Sequence, residues 1–137
     1  MSADLAGFRE IEHTADWEIQ VWAPDLNMLF EHAARGMYAL CGARMSHNQP
    51  QKRTIDLEAA DPEALLIGFL SELLYYYDLE RIGFERFNLE VTGNHLQGEI
   101  QGSAITSIDK EIKAVTFHNL KIRQSKHGLE VNLVFDV

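Results

Sequence analysis

Residues 129–137 read LEVNLVFDV, and their strict alternation predicts a β-strand with two unlike faces. One face carries only apolar side chains, namely Leu129, Val131, Leu133, Phe135 and Val137. The other face is mainly polar and carries Glu130, Asn132, Val134 and Asp136. Such a strand is half-buried, so the rest of the chain must supply an apolar layer that covers one side of it.

The segments before this strand predict further strands. Ser125-Lys126-His127-Gly128 indicates a hairpin that joins the final strand to a strand over residues 113–122. The same alternation and turn signals predict strands over residues 10–13, 17–22 and 53–58, and a pair of strands around a turn at Gly93-Asn94.

Two segments have the periodicity of helices. The first follows Asp25, a good N-cap, and its apolar stripe runs to Tyr38 before Gly42 ends it. The second starts at Asp61-Pro62-Glu63 and continues to about residue 79. It is apolar over much of its circumference, which predicts a central core helix. The run Tyr75-Tyr76-Tyr77 within it is expected to be mostly core, with one ring left for a partner.

Together these elements predict an α+β fold in which two helices pack on a largely antiparallel, multi-stranded sheet. A length of 137 residues suits a single domain over residues 1–137. The longest stretch without a polar residue, 64–70, is far too short for a membrane span, and no secretory signal is visible at the start. We therefore expect a cytoplasmic protein without a membrane partner.

The charge balance limits the function further. Twelve basic residues against 21 acidic ones give a formal net charge of −9, which argues against strong direct binding to nucleic acid. The single cysteine, Cys41, excludes an internal disulfide framework and a cysteine-built zinc site, and its apolar helix predicts a buried thiol. The surplus carboxylates either keep the protein soluble or include a cation site or a contact with a basic partner.

Two acidic positions could carry chemistry. Residues 12–16 read EHTAD at a strand interruption, where Asp16 is either a turn acceptor or a ligand or base, and His13 is not specific by itself. Asp136 is either a solvated strand end or part of a pair with the chain-terminal carboxylate of Val137. Two acceptors so close together repel each other unless a cation or a donor lies between them.

Two further residues are weaker candidates. Glu72 lies in the most apolar helix, where a carboxylate is unusual unless it is paired or at the edge of the apolar face. Lys113 lies in a predicted strand and could pair with an acidic partner or guard a sheet edge. The common catalytic motifs, including G-x-S-x-G, the P-loop and H-E-x-x-H, are absent from the sequence.

Read together, the motifs resemble the archease family. That family has an EHTAD start, an amphipathic helix, a second helix with an S/N-E-L-L-Y core and an aromatic-Asp end, a K-A-V-T-aromatic-H strand and a hydrophobic-Asp-hydrophobic tail. In this sequence they are residues 12–16, 26–40, 71–78, 113–118 and 135–137. One departure is Trp17-Glu18, where the family often has an aliphatic residue and a glycine.

The resemblance implies a non-enzymatic protein that activates an RtcB-type tRNA-splicing RNA ligase by promoting its guanylylation and multiple turnover. It also implies a metal site formed by Asp16, Asp136 and a main-chain or terminal oxygen of Val137. Calcium is the expected cation, with magnesium or manganese as alternatives. Glu72 and Lys113 fall on family motif positions and are expected functional neighbours, as is His13.

Two other functions stay open. One is a chaperone-like modulator of a tRNA-modifying methyltransferase, and the other is a small metal-dependent hydrolase that uses Asp16 and Asp136. The acidity of the chain favours a basic RNA-handling enzyme as partner over RNA itself.

Overall fold

The helices and the longer strands follow the predicted order, and two short strands, 44–45 and 123–125, were not predicted. The computed structural model describes residues 5–12, 17–117 and 120–137. In chain order its elements are β1 (Gly7–Ile11), β2 (Trp17–Ala23), α1 (Leu26–Cys41), β3 (Arg44–Met45), β4 (Gln51–Glu58), α2 (Pro62–Glu80), β5 (Ile82–Thr92), β6 (His95–Ser107), β7 (Ala114–Thr116), β8 (Arg123–Ser125) and β9 (Gly128–Asp136).

The final strand, β9, is the hub of the first sheet, which has five strands within the described residues. β2 pairs with β9 along its whole length, from Trp17 opposite Phe135 to Ala23 opposite Leu129. β1 extends the sheet beyond β2, and both β7 and β8 pair with β9. All of these pairings are antiparallel, as predicted. We call this layer sheet 1.

A second sheet forms around β6 and is also antiparallel throughout the described chain. β5 pairs with β6 through the Gly93-Asn94 turn, while β4 and the two-residue β3 pair with successive parts of β6. The sequence predicted one sheet, whereas the described strands form two. Among the described strands, β6 pairs with β3, β4 and β5, whereas β9 pairs with β2, β7 and β8, so no pairing joins the two groups.

Both helices begin and end at the predicted residues. The Asp25 carboxylate accepts a hydrogen bond of 2.9 Å from the Met28 N–H, and the Asp61 carboxylate accepts one of 2.7 Å from the Ala64 N–H. Pro62 occupies the first turn of α2. Gly42 closes α1 with a φ of 68°, in the left-handed region that favours glycine.

The core is one cluster of buried side chains contributed by both helices and both sheets. Phe69 of α2 links its parts, because its ring lies 5.9 Å from that of Phe30 in α1 and 6.3 Å from that of Phe87 in β5. Cys41 is buried as predicted, and burial raises the pKa of its thiol, so it is a structural residue. In the described part of the chain, no helix combines the length and hydropathy needed to cross a bilayer.

The prediction that α2 is a central core helix is correct for one side only. Leu66, Leu70 and Leu73 are fully buried, but the side chains of Tyr75 and Leu79 are 55% and 64% exposed. Of the three consecutive tyrosines, Tyr75 is therefore the ring left at the surface, as predicted.

The predicted strand over residues 113–122 is wrong in its extent. β7 covers only Ala114–Thr116, and residues 120–122 are not in a strand. Instead of extending the sheet ladder, the Ile122 N–H donates to the Glu63 carboxylate at the start of α2, over 2.9 Å. His118, the last residue of the K-A-V-T-aromatic-H motif, lies outside the described residues.

Two glycines predict opposite effects of the same substitution. A Cβ at Gly68, on the open side of α2, would meet nothing within 4 Å, whereas a Cβ at Gly102 in β6 would lie 1.7 Å from the Gly83 carbonyl oxygen. We expect Gly68→Ala to raise the free energy of unfolding by about 0.5–1 kcal/mol, because alanine favours the helix. Gly102→Ala should lower it by about 1–3 kcal/mol or prevent folding. Urea unfolding of both variants measures this, and equal effects would contradict the described strand packing.

Candidate functional site

The predicted metal ligand Asp136 lies at the end of β9, on the face of sheet 1 that points away from the core. Its neighbour Phe135 is 2% exposed and faces inward, so the alternation turns the exposed Asp136 side chain outward. The main-chain N–H of Lys113 donates to the Asp136 carbonyl oxygen over 2.8 Å, and Ala114 pairs with Asp136. The structure thus brings Lys113 and Asp136 together at the end of β9, with the half-buried Val137 next to them. We call this end of sheet 1, formed by Lys113, Asp136 and Val137, the Asp136 edge.

The other half of the predicted site lies outside the described residues. His13 and Asp16 belong to residues 13–16, which the structure does not describe. What it does describe is the strand that follows them, because Trp17, the first residue of β2, is paired with Phe135. The chain therefore enters β2 directly beside the point where β9 reaches Asp136.

A chain of polar side chains crosses the outward face of sheet 1 and was not predicted. We call it the outer ladder, and it consists of Arg9, Gln20, Glu130, Arg123, Asn132 and Glu18. It begins at the β1 edge, where the Arg9 Nε donates to the Gln20 side-chain oxygen over 2.9 Å. The Gln20 amide nitrogen in turn donates to the Glu130 carboxylate over 2.9 Å, which links β2 to β9.

The second half of the outer ladder leads toward the Asp136 end of the sheet. Arg123 of β8 donates to the Glu130 carboxylate over 2.6 Å and to the Asn132 side-chain oxygen over 2.7 Å. The Asn132 side-chain nitrogen donates to the Glu18 carboxylate over 2.8 Å. Glu18 is therefore held by a defined partner one residue along β2 from Trp17.

The alternation of residues 129–137 places Glu130 and Asn132 on the same outward face as Asp136, and this much could be read from the sequence. Their partners could not, because Glu18 and Gln20 meet them only through the β2–β9 register. A pairing between segments more than 100 residues apart leaves no local signal in a single sequence.

Glu72 lies elsewhere. It is half-buried on the side of α2 that faces the second sheet, beside Tyr76. The Tyr76 ring lies 5.5 Å from that of Phe84 in β5, with the Arg53 guanidinium of β4 above it at 5.8 Å. Burial raises the pKa of Tyr76; the Glu72 carboxylate raises it further and Arg53 opposes the shift. These contacts join Glu72 to the second sheet, so the structure does not bring it to Asp136.

The donors at the Asp136 edge are of the type that suits a hard cation. The described residues supply the outward Asp136 carboxylate and the main-chain oxygen of Val137, and oxygen donors favour Ca²⁺, Mg²⁺ or Mn²⁺ over softer metals. Among residues 5–12, 17–117 and 120–137, no group of three or more His, Cys, Asp or Glu side chains is placed to hold a metal. A cation site at this edge would need oxygen ligands in addition to these two groups.

The fold and this edge define a class of protein: an α+β protein with two helices on antiparallel sheets, in which the entry to β2 meets the end of β9. The sequence model of the archease protein family matches residues 8–137. The chain belongs to the archease family.

Individual relatives and solved structures agree with this assignment. The chain is 29% identical to the protein archease of Methanosarcina barkeri, with 100% of both chains covered. It is 30% identical to that of Thermococcus kodakarensis, over 85% of this chain and 88% of the relative. The crystal structure of a Thermotoga maritima archease, titled a possible chaperone, superposes with a TM-score of 0.71 at 23% identity, covering 94% and 96%. The solution structure of Methanobacterium thermoautotrophicum protein 1598 gives 0.70 at 25% identity, covering 96% and 99%.

The outer ladder predicts a stabilising role for Asn132. Replacing it by alanine removes the donor to Glu18 and an acceptor of Arg123, so we expect Asn132→Ala to lower the free energy of unfolding by about 1 kcal/mol. Asn88→Ala, an exposed asparagine on the outward face of β5, is the matched control and should change it by less than about 0.5 kcal/mol. Chemical denaturation measures both, and equal losses would show that the ladder adds no stability.

Proposed function

We propose that this protein is a non-enzymatic cofactor that acts in the cytoplasm and activates an RtcB-type tRNA-splicing RNA ligase, promoting its guanylylation and multiple turnover. Membership of the archease family over residues 8–137 supports the proposal, because the family motifs imply this activity. The net charge of −9 supports a basic protein surface as the partner, with the RNA contacted by the ligase.

The observation that carries the proposal is the register that pairs Trp17 with Phe135. Asp16 precedes Trp17 in the sequence and Asp136 follows Phe135, so the segments that carry the two carboxylates leave adjacent strands at the same end. We propose that Asp16, Asp136 and a main-chain oxygen of Val137 bind one divalent cation. Calcium is the first candidate, and magnesium and manganese have the same preference for oxygen donors.

The residues around this edge have defined tasks in the proposal. The Lys113 N–H and the β7 pairing hold the Asp136 backbone, so the carboxylate stays turned outward. A bound cation would neutralise carboxylates that otherwise repel each other. The edge then offers the ligase a rigid surface. His13 belongs to the EHTAD segment in the sequence, and Lys113 lies beside Asp136 in the fold.

The proposal predicts that each carboxylate is necessary for activation and dispensable for folding. We expect Asp136→Ala and Asp16→Ala to reduce the stimulated rate of ligase guanylylation to the level of the ligase alone. Their melting temperatures should stay close to that of the wild type, because Asp136 is exposed at the end of β9 and Asp16 precedes the first residue of β2 in the sequence. A radiolabelled-GTP assay with the cognate ligase measures the rate, with and without added calcium and after chelation.

The matched control is Glu90→Ala, an exposed carboxylate on β5 in the second sheet. It removes the same charge and should stimulate the ligase like the wild type. Full stimulation by Asp136→Ala, or an equal loss with Glu90→Ala, would show that the proposed site does not carry the activity.

A second candidate is a chaperone-like modulator of a tRNA-modifying methyltransferase, and the exposed Tyr75, Leu79 and Phe117 favour it, since exposed apolar side chains can hold client proteins. A general chaperone would suppress the thermal aggregation of an unrelated client such as citrate synthase. We expect no suppression at equimolar protein, and suppression would favour this candidate over the ligase activator.

A further inference from the structure

The open side of α2 carries an unusual surface. Gly68, Ser71, Tyr75 and Leu79 recur at intervals of three and four residues, so they share one helix face, which we call the α2 stripe. All four are exposed, and the two large ones expose more than half of their surface, 55% for Tyr75 and 64% for Leu79. An aromatic and an aliphatic side chain one turn apart on an open helix face indicate an interaction surface.

A further large apolar side chain, that of Phe117, is exposed outside the helix. It is 61% exposed and directly follows β7. Ile112 lines a small cavity together with Leu73 in the second half of α2, and the Ile122 N–H is bound by Glu63 in the first turn. β7 packs against α2, so Phe117, the residue that follows β7, lies near this helix.

The first half of the α2 stripe, at Gly68 and Ser71, has small side chains and is exposed. A Cβ at Gly68 would meet nothing within 4 Å, so no packing inside the molecule requires a glycine in the middle of this helix. A glycine that the fold does not need leaves room for the close approach of another molecule. The stripe therefore combines a shallow half at Gly68 and Ser71 with a protruding half at Tyr75 and Leu79.

The charges beside the stripe indicate what would cover it. Glu72 and Asp78 flank it on either side, and α2 contains no Lys, Arg or His from Pro62 to Glu80. If a second copy of the chain covered the stripe, the carboxylates of the two copies would lie close together and repel each other. A surface with an apolar centre and a rim of Lys and Arg complements them.

We infer that the α2 stripe, with Phe117, is a docking surface for a protein partner whose surface has an apolar centre and a basic rim. It is separate from the Asp136 edge, because Asp136 faces outward from sheet 1, on the side opposite the core that α2 helps to form. In identifying that partner with the ligase, this inference rests on the proposed function. The stripe then supplies affinity, and the Asp136 edge supplies activation.

The test separates these two roles by measuring both the Kd for the cognate ligase and the maximal stimulation at saturating protein. The double variant Tyr75→Ser/Leu79→Ser should weaken binding by about tenfold or more, with maximal stimulation retained at saturation. Gly68→Leu, which fills the shallow half without touching the core, should weaken binding as well. Asp136→Ala should lose stimulation while its Kd changes by less than about threefold.

The matched control is Leu5→Ser, which removes a large apolar side chain that is 69% exposed and lies outside the stripe. It should bind like the wild type, and all variants should keep the wild-type circular dichroism spectrum. For the charges, Glu72→Gln/Asp78→Asn should weaken binding and flatten its salt dependence, whereas Glu90→Gln/Glu99→Gln on the second sheet should not.

Three outcomes would overturn the inference. If the stripe variants bind the ligase as tightly as the wild type does, the stripe is not the docking surface, and the proposed function is unaffected. If the wild type does not bind the ligase at all, both the inference and the proposed function fail. If sedimentation shows a wild-type dimer that the stripe variants abolish, a second copy of the chain occupies the stripe.

Discussion

The pairing of β2 with β9 is the constraint on which the rest of the structure depends. It joins residues 17–23 to residues 129–135 through seven consecutive antiparallel positions. Ile19, Val21 and Ala23 on one strand and Val131, Leu133 and Phe135 on the other turn inward, and all are essentially buried. Because β1 pairs with β2, whereas β7 and β8 pair with β9, a loss of the β2–β9 pairing would split sheet 1 into two parts and expose one side of the core.

The same pairing determines the chemistry of the opposite face. Alternation along each strand sends Glu18 and Gln20 outward from β2, and Glu130, Asn132 and Asp136 outward from β9. The register then decides which of them meet, which is why Asn132 binds Glu18 and Gln20 binds Glu130. The backbone pairing of β2 with β9 thus stabilises the core on the inner face of sheet 1 and positions polar side chains on its outer face.

Much of this fold could be predicted because its signals are local. Asp25 and Asp61 cap the helices with their own carboxylates, Gly42 ends α1, and the alternation of residues 129–137 predicts both faces of β9. The predictions that were wrong concern features that depend on contacts between residues distant in the sequence. The division into two sheets depends on which strands β6 and β9 accept. The predicted strand over 113–122 is shorter because Glu63, some 59 residues away in the sequence, binds the Ile122 N–H.

In the candidate site, too, the local features could be predicted from the sequence and the contacts between distant segments could not. The outward position of Asp136 and its place at a strand end could be predicted from the alternation alone, and the structure agrees. The outer ladder could not, since five of its hydrogen bonds join side chains on different strands or across a hairpin. The binding of one cation by Asp16 and Asp136 together stays a prediction. The register between Trp17 and Phe135 supports it, and Asp16 itself lies outside the described residues.

The central claim is that the β2–β9 register builds one cation site from two distant carboxylates, and calcium binding measured by isothermal titration calorimetry tests it most directly. We expect one site in the wild type. Asp16→Asn and Asp136→Asn should each weaken it by about 10–100-fold or more, and the double variant should lose little beyond either single one, because the two ligands act together. Calcium binding by Asp136→Asn with wild-type affinity would contradict the account.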